Sequence, residues 1–258
     1  MAEEFDRLKR LLSLRNSPEE AASKAKQIHR GTLDASPHFT SANFEAIAPA
    51  DLKRLFELYD AEFFGGLLEA MLREDRAFPI DFRLSARMTN AGGKTFRRTL
   101  TRPIRVVSYE IAISTLLLFQ TFHEVDRPVE VVGLICVDRL EALQRIFEHE
   151  LLHLAEFLAT EQSSCKGPLF QTLARSIFGH KAVVHNLVTP REIAAANHAI
   201  RIGDIVAFDF EGKTHVGRVN RITRRASVLV ADPTGPLFSN GGRYATFYIP
   251  LNLLRKQG

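Results

Sequence analysis

The chain has 258 residues, 45% hydrophobic and 25% charged, which is ordinary for a globular protein and enough to bury a substantial core in one large or two small domains. Cys136 and Cys165 are the only cysteines, which excludes a disulfide scaffold and fits a reducing compartment, and no apolar run is long enough to span a membrane. The formal charge of +4 is small but uneven: between Asp81 and Glu110 there is no acid, while Arg83, Arg87, Lys94, Arg97, Arg98, Arg102 and Arg105 fall there, and Arg218, Arg221, Arg224 and Arg225 crowd the tail.

Residues Met1 to Arg15 alternate charges with leucines and lack a signal-peptide core, so the expected location is the cytoplasm. Phe5, Leu8, Leu11 and Leu12 predict a short amphipathic helix, and Glu19 to about His29 a second. Gly31 to Pro49 reads as a linker or irregular wrap, so 1–48 forms a helical extension. From Pro49, apolar residues at helical spacing lead to a break at Gly65-Gly66. Ile80 to Ser85 and Thr95 to Leu100 predict a hairpin across Asn90-Ala91-Gly92-Gly93, followed by a strand at Ile104 to Ser108; Ile111 to Leu117 fits helix or strand, with a short helix favoured. Val129 to Val137 is an apolar lead-in to a long helix, which opens at the Asp138–Glu141 capping box and runs to about Ala159. Pro168 opens another helix, and Thr189-Pro190-Arg191-Glu192 opens a last one. Beyond residue 200 short β-type runs with Gly-rich turns predict a small SH3-like barrel. The expected fold is thus α+β, a small antiparallel sheet on helices over 49–199 followed by an all-β barrel over 200–258.

The long helix carries His149-Glu150-Leu151-Leu152-His153, an HExxH sequence. Histidines four apart share a helix face and can share a zinc ion, while Glu150, about 100° round the helix, is placed to take a proton from a metal-bound water. Phe147, Leu151, Leu152, Leu154, Phe157 and Leu158 make the helix apolar on several sides, so it should be buried, and two histidines with Glu148 and Glu150 in a buried helix need a reason. The candidates for a third ligand are Cys165 in the loop leaving the helix, His180 and His185 further on, and the helix acids Glu156 and Glu161. The simplest role of Glu156 is to support His153 from behind.

Leu58-Tyr59-Asp60 with Phe63-Phe64-Gly65-Gly66-Leu67, the segment Ser85 to Gly93, the strand Ile104 to Ser108, His149 to His153, and Lys166-Gly167-Pro168-Leu169-Phe170 together resemble the SprT-like zinc metallopeptidases, the group that includes Spartan proteases acting on DNA-crosslinked proteins. The resemblance covers residues 50 to 180 and implies peptide-bond hydrolysis near DNA. It departs at Lys166, which stands where that family has its third zinc-binding histidine. Cys165 is adjacent and can substitute.

The expectation is therefore a zinc-dependent endopeptidase with Glu150 as general base, zinc on His149, His153 and Cys165, and Lys166 or His180 as a further donor to the oxyanion. Its partners would be a protein or peptide substrate and DNA, the latter on the arginine-rich stretches, with no membrane and no organic cofactor. The alternative is a non-catalytic nucleic-acid-binding or scaffold protein with a structural metal site.

Overall fold

The computed structural model describes residues 2–101, 106–122, 125 and 127–257. Arg102, Ile104 and Arg105, which belong to the expected basic strip and third strand, lie outside these residues. The chain falls into two units, Met1–Leu187 and Val188–Gly258. No helix among the described residues is long and apolar enough to cross a membrane.

The first unit opens with α1 (Ala2–Ser13), α2 (Pro18–Ala35) and α3 (Pro49–Tyr59). Ser17 and Glu20 form the capping box that starts α2, and the helix runs on through Gly31 instead of ending near His29. Phe39 and Phe44, from the stretch expected to be a linker or wrap, are buried and stack at 4.1 Å. A π-turn at Asp60–Phe64 and left-handed Gly65 and Gly66 separate α3 from α4 (Leu67–Glu74), whose first amides bond the Asp60 carboxylate.

Next come β1 (Asp81–Ser85), β2 (Gly93–Leu100), β3 (Val106–Ser114) and α5 (Thr115–Gln120). The expected hairpin does not form. β3 takes the centre, parallel to β1 and antiparallel to β2, giving a mixed sheet in place of an antiparallel one. The apolar run Ile111-Ala112-Ile113, expected to be helical, is the fully buried part of this central strand. A strand covered on both faces loses its alternation, so its period could not distinguish it from a helix. The helix begins only at Thr115, capped by Ser114.

After β4 (Val129–Val131) and β5 (Leu134–Cys136), the helix α6 (Arg139–Thr160) starts at Asp138, whose side chain accepts from the Glu141 amide. α7 (Pro168–Leu173) continues into a π-turn at Ala174–Phe178, and β6 (His185–Asn186) pairs with β4. The core of this unit gathers around α6, most of whose residues are buried. Glu148 is among them. Its carboxylate accepts from Tyr59 Oη at 2.9 Å, Arg145 Nη1 at 2.7 Å and His180 Nε2 at 2.8 Å. Burial pushes this carboxyl up, but Arg145 and His180 outweigh it and hold it below the usual range.

The second unit carries α8 (Pro190–His198), with Thr189 as its cap, and the strands β7 (Ile205–Phe210), β8 (Lys213–Ile222), β9 (Ala226–Ala231), β10 (Tyr244–Ile249) and β11 (Arg255–Lys256). Short strands form there as expected, but they do not make an SH3-like barrel. The order β10-β9-β8-β7-β11 leaves β10 and β11 as unpaired edges, so the sheet is open. After the short turn Leu251–Leu253, the chain returns to the outer edge of β7, where Arg255 and Lys256 face Ala207 and Val206, and this two-residue strand does not reach β10. The fold is α+β with open sheets.

Replacing Glu148 with alanine leaves His180 and Tyr59 buried, and Arg145 half-buried, around an empty acceptor. Glu148→Ala is expected to destabilise the first unit by about 3–5 kcal/mol, read as a lower urea midpoint at unchanged slope.

Candidate metal centre

Helical spacing places His149 and His153 one turn apart on α6, and their Nε2 atoms approach to 3.1 Å. Two nitrogens on a tetrahedral zinc stand about 3.3 Å apart for bonds of about 2.05 Å, so the pair is close to ligating separation. Phe170, at the start of α7, packs against both imidazoles, with ring centroids 4.8 and 4.7 Å away. Cys165, half-buried in the loop between α6 and α7, completes the set: one donor atom from each of His149, His153 and Cys165 lies within 4.8 Å of the others. The chain therefore contains a His-His-Cys cluster able to hold a metal ion.

The surroundings prepare the histidines as ligands. Ser163 donates its hydroxyl to Glu156 Oε2 at 2.6 Å and must accept from His153 Nδ1, also at 2.6 Å. That relay assigns the His153 proton to Nδ1 and turns a bare Nε2 lone pair towards the centre. Burial, reinforced by the neighbouring histidines, lowers the His149 pKa to about 2, and burial lowers that of His153 to about 4. Both imidazoles are thus neutral across the ordinary pH range, the form that ligates a metal. The donor set of two imidazoles and a thiol suits zinc.

Glu150 stands beside the cluster and outside the ligand set. Its side chain packs under β2, where a Cβ on Gly93 would lie only 2.6 Å from Glu150 Cγ, so only glycine admits the carboxylate. Thr95 Oγ1 lies 2.8 Å from Glu150 Oε2 and 2.9 Å from the Glu150 carbonyl oxygen. Burial raises the Glu150 pKa to about 8, partly offset by these hydrogen bonds. His149, Glu150, His153, Lys94, Ser163 and His185 share the wall of one cavity of about 600 Å³.

The other candidates are placed as follows. The His185 ring is 4.7 Å from that of His149, and its buried Nε2 has no hydrogen-bond partner. His180 is committed to Glu148 instead, and the Lys166 side chain is exposed. On the three-stranded sheet, Arg83 and Arg98 share Glu110 at 2.9 and 3.3 Å, and together with Lys94 they surround the Phe96 ring. Arg97 turns away to Glu161 at 2.8 Å, while Arg87 is exposed. Arg218 reaches the Gly203 carbonyl, and Arg221, Arg224 and Arg225 are exposed. The sequence reading missed Ser163 and Thr95. A lone hydroxyl carries no signal of its own until the fold brings it to a histidine or a carboxylate.

Comparison with protein-family models, curated proteins and solved structures finds no match. The ligand set is His-His-Cys, not the three-histidine set of an SprT-like HExxH zincin. Together with the open carboxy-terminal sheet, this overturns the SprT-like resemblance as a description of the chain. The physical reason lies at Lys166, which exposes an ammonium where that family offers an imidazole.

Purified protein is expected to bind one zinc per chain, with the metal lost in His149→Ala and Cys165→Ala by elemental analysis. Ser163→Ala, which removes only the support behind His153, should weaken zinc affinity about tenfold. Thiol labelling gives a second readout. Added zinc should protect Cys165, whereas Cys136, whose thiol burial pushes up to about 12, should stay unreactive until the chain unfolds.

Proposed function

We propose that the chain is a zinc-binding protein that uses its His149–His153–Cys165 centre to hydrolyse peptide bonds. The observation that carries this reading is the shared wall of one cavity: two of the three candidate ligands and the carboxylate of Glu150 face the same space. Three protein ligands leave a fourth position for water or substrate. Zinc held there would supply Lewis acidity towards a carbonyl oxygen and lower the pKa of a water. Glu150 would take the proton of the attacking water and pass it to the leaving amine. Thr95 orients that carboxylate, and a carboxyl raised by burial is matched to both accepting and returning a proton near neutrality.

The cavity also suits a polypeptide. Gly93, Lys94 and Thr95 line it, and they belong to β2, an edge strand of its sheet. An extended chain can add to such an edge through main-chain hydrogen bonds with little demand on sequence. Lys94, Arg83 and Arg98 lie on the same sheet and would draw in substrates associated with DNA. Both thiols are free, which supports a cytoplasmic location.

A second reading keeps the metal and drops the catalysis, making the chain a nucleic-acid-binding or scaffold protein with a structural site. His185 favours it, because its orphaned Nε2 beside His149 could complete four protein ligands and close the centre.

Glu150→Gln separates the two. With zinc loaded and an unfolded protein as substrate, the hydrolytic reading expects full zinc content and unchanged folding with cleavage reduced at least a hundredfold. Equal behaviour of wild type and Glu150→Gln in cleavage, with zinc removal lowering the urea midpoint of both, would establish the structural reading.

A further inference from the structure

The carboxy-terminal unit carries more positive charge than the whole chain. From Val188 onward there are ten Lys and Arg against five Asp and Glu, a balance of +5, whereas the full sequence is +4. Two of those acids are already engaged at the β7–β11 side of the sheet, Asp209 with Arg255 at 2.9 Å and Asp204 with Lys256 at 2.9 Å. Arg221, Arg224 and Arg225, on β8 and its turn into β9, have no carboxylate partner among the described residues. Four of the ten cations, Arg218, Arg221, Arg224 and Arg225, thus fall within eight residues on β8 and its turn into β9.

Strand register shows how it is displayed. In an antiparallel pair, directly opposed residues project from the same face. Tyr248 opposes Ser227, and Ser227 opposes Arg221; one step along, Thr246 opposes Leu229, and Leu229 opposes Arg218. Arg218 and Arg221 are three apart, a spacing that would put them on opposite faces of a regular strand. The register shift between Val219 and Arg221 inserts one extra residue on β8 and brings both guanidinium groups to the face that Tyr248 occupies. The opposite face holds Val219, Ile222, Val228 and Ile249 in the core. Tyr248, by contrast, is 67% exposed, unusual for a ring of its size in mid-strand.

We infer that this outer face, with Tyr248 as a stacking platform and Arg218, Arg221, Arg224 and Arg225 as phosphate contacts, binds single-stranded nucleic acid. An exposed ring and unneutralised arginines on the same face, two strand spacings (about 10 Å) apart, offer one base a π-face and the flanking backbone several cations. A duplex keeps its bases stacked inside and would use the arginines without the ring. An acidic protein surface would likewise leave the ring without a role. The inference is independent of how the metal centre is used, since both readings of that centre leave this face intact.

The test is fluorescence anisotropy with the full chain and a labelled 20-residue oligothymidylate, across a salt series. Wild type should bind, with log K falling linearly in log salt. Tyr248→Ala should weaken binding about tenfold, with Tyr248→Phe close to wild type, because stacking needs the ring and not the hydroxyl. Arg221→Gln should reduce the salt slope by about 0.7, the contribution of one phosphate on a single strand. Both positions are exposed, so unchanged circular dichroism is the accompanying check on folding. No binding by wild type at low salt would overturn the inference. So would equal affinities for wild type, Tyr248→Ala and Arg221→Gln, or competition by a 20-base-pair duplex or by polyglutamate as strong as by the single strand.

Discussion

A 22-residue helix buried on nearly every side must find a partner for each polar group it removes from water, and much of the first unit is arranged around that demand. At the amino end of α6, Arg139 donates to the carbonyls of Asn43, Phe44, Leu118, Phe119 and Thr121, which ties the segment before α3 and the end of α5 to the helix. Gln144 donates to the Ala25 carbonyl on α2. Glu148 gathers Tyr59 from α3 and His180 from beyond the π-turn. Glu150 meets Thr95 on β2, and Glu156 holds the loop through Ser163 and the Ser164 amide. Among the side chains of this helix, the one buried polar atom left without a partner is Nδ1 of His149. The Nε2 atoms of His149 and His153, in turn, find only each other at 3.1 Å, which is the arrangement that a pair sharing an ion requires.

Much of this was legible in the sequence, for local reasons. Asp138 and Thr189 announce their helices because capping is decided within a few residues. The i, i+4 histidines needed only helical geometry to meet, and Cys165 follows on the next loop. What was not legible depended on non-local pairing. Nothing in Asp81–Ser85 or Gly93–Leu100 says that a third strand will come between them, because a hairpin and a central insertion present the same alternation. The carboxy-terminal strands have the lengths and turns of a barrel, yet closure rests on which edges meet, and no residue of β10 or β11 encodes that by itself. His180 was a reasonable ligand by type and position. Its commitment to Glu148 was not legible, because the sequence places that glutamate in a buried helix without saying which distant side chain will meet it.

The two glutamates of the helix show how position sets chemistry. Glu148 and Glu150 are two residues apart and both are fully enclosed, yet their carboxyls move in opposite directions. Glu148 faces a guanidinium and an imidazole and is held below the usual range, so it remains an anion and works as a structural anchor. Glu150 faces a neutral hydroxyl and a glycine, and burial raises it to about 8 against the opposing pull of Thr95 and the Lys94 ammonium. A group that changes protonation with modest expense near neutrality can carry protons, whereas a locked anion cannot. The difference follows from what β2 contributes. Gly93 makes the space, Thr95 supplies the hydrogen bond and Lys94 acts only at a distance.

That contrast also bears on how the centre is completed. A closed four-ligand site would bring His185 onto the metal with the other three and leave Glu150 buried beside it without a proton to move. An open three-ligand site gives the same carboxylate a reason to be raised, since a water in the remaining position would sit in the cavity that Glu150 lines. An uncompensated buried carboxyl costs stability, and a scaffold could remove that cost with a single change to leucine or glutamine. Glu150, the glycine that admits it and the threonine that bonds it are therefore the features that a purely structural site would leave without a role.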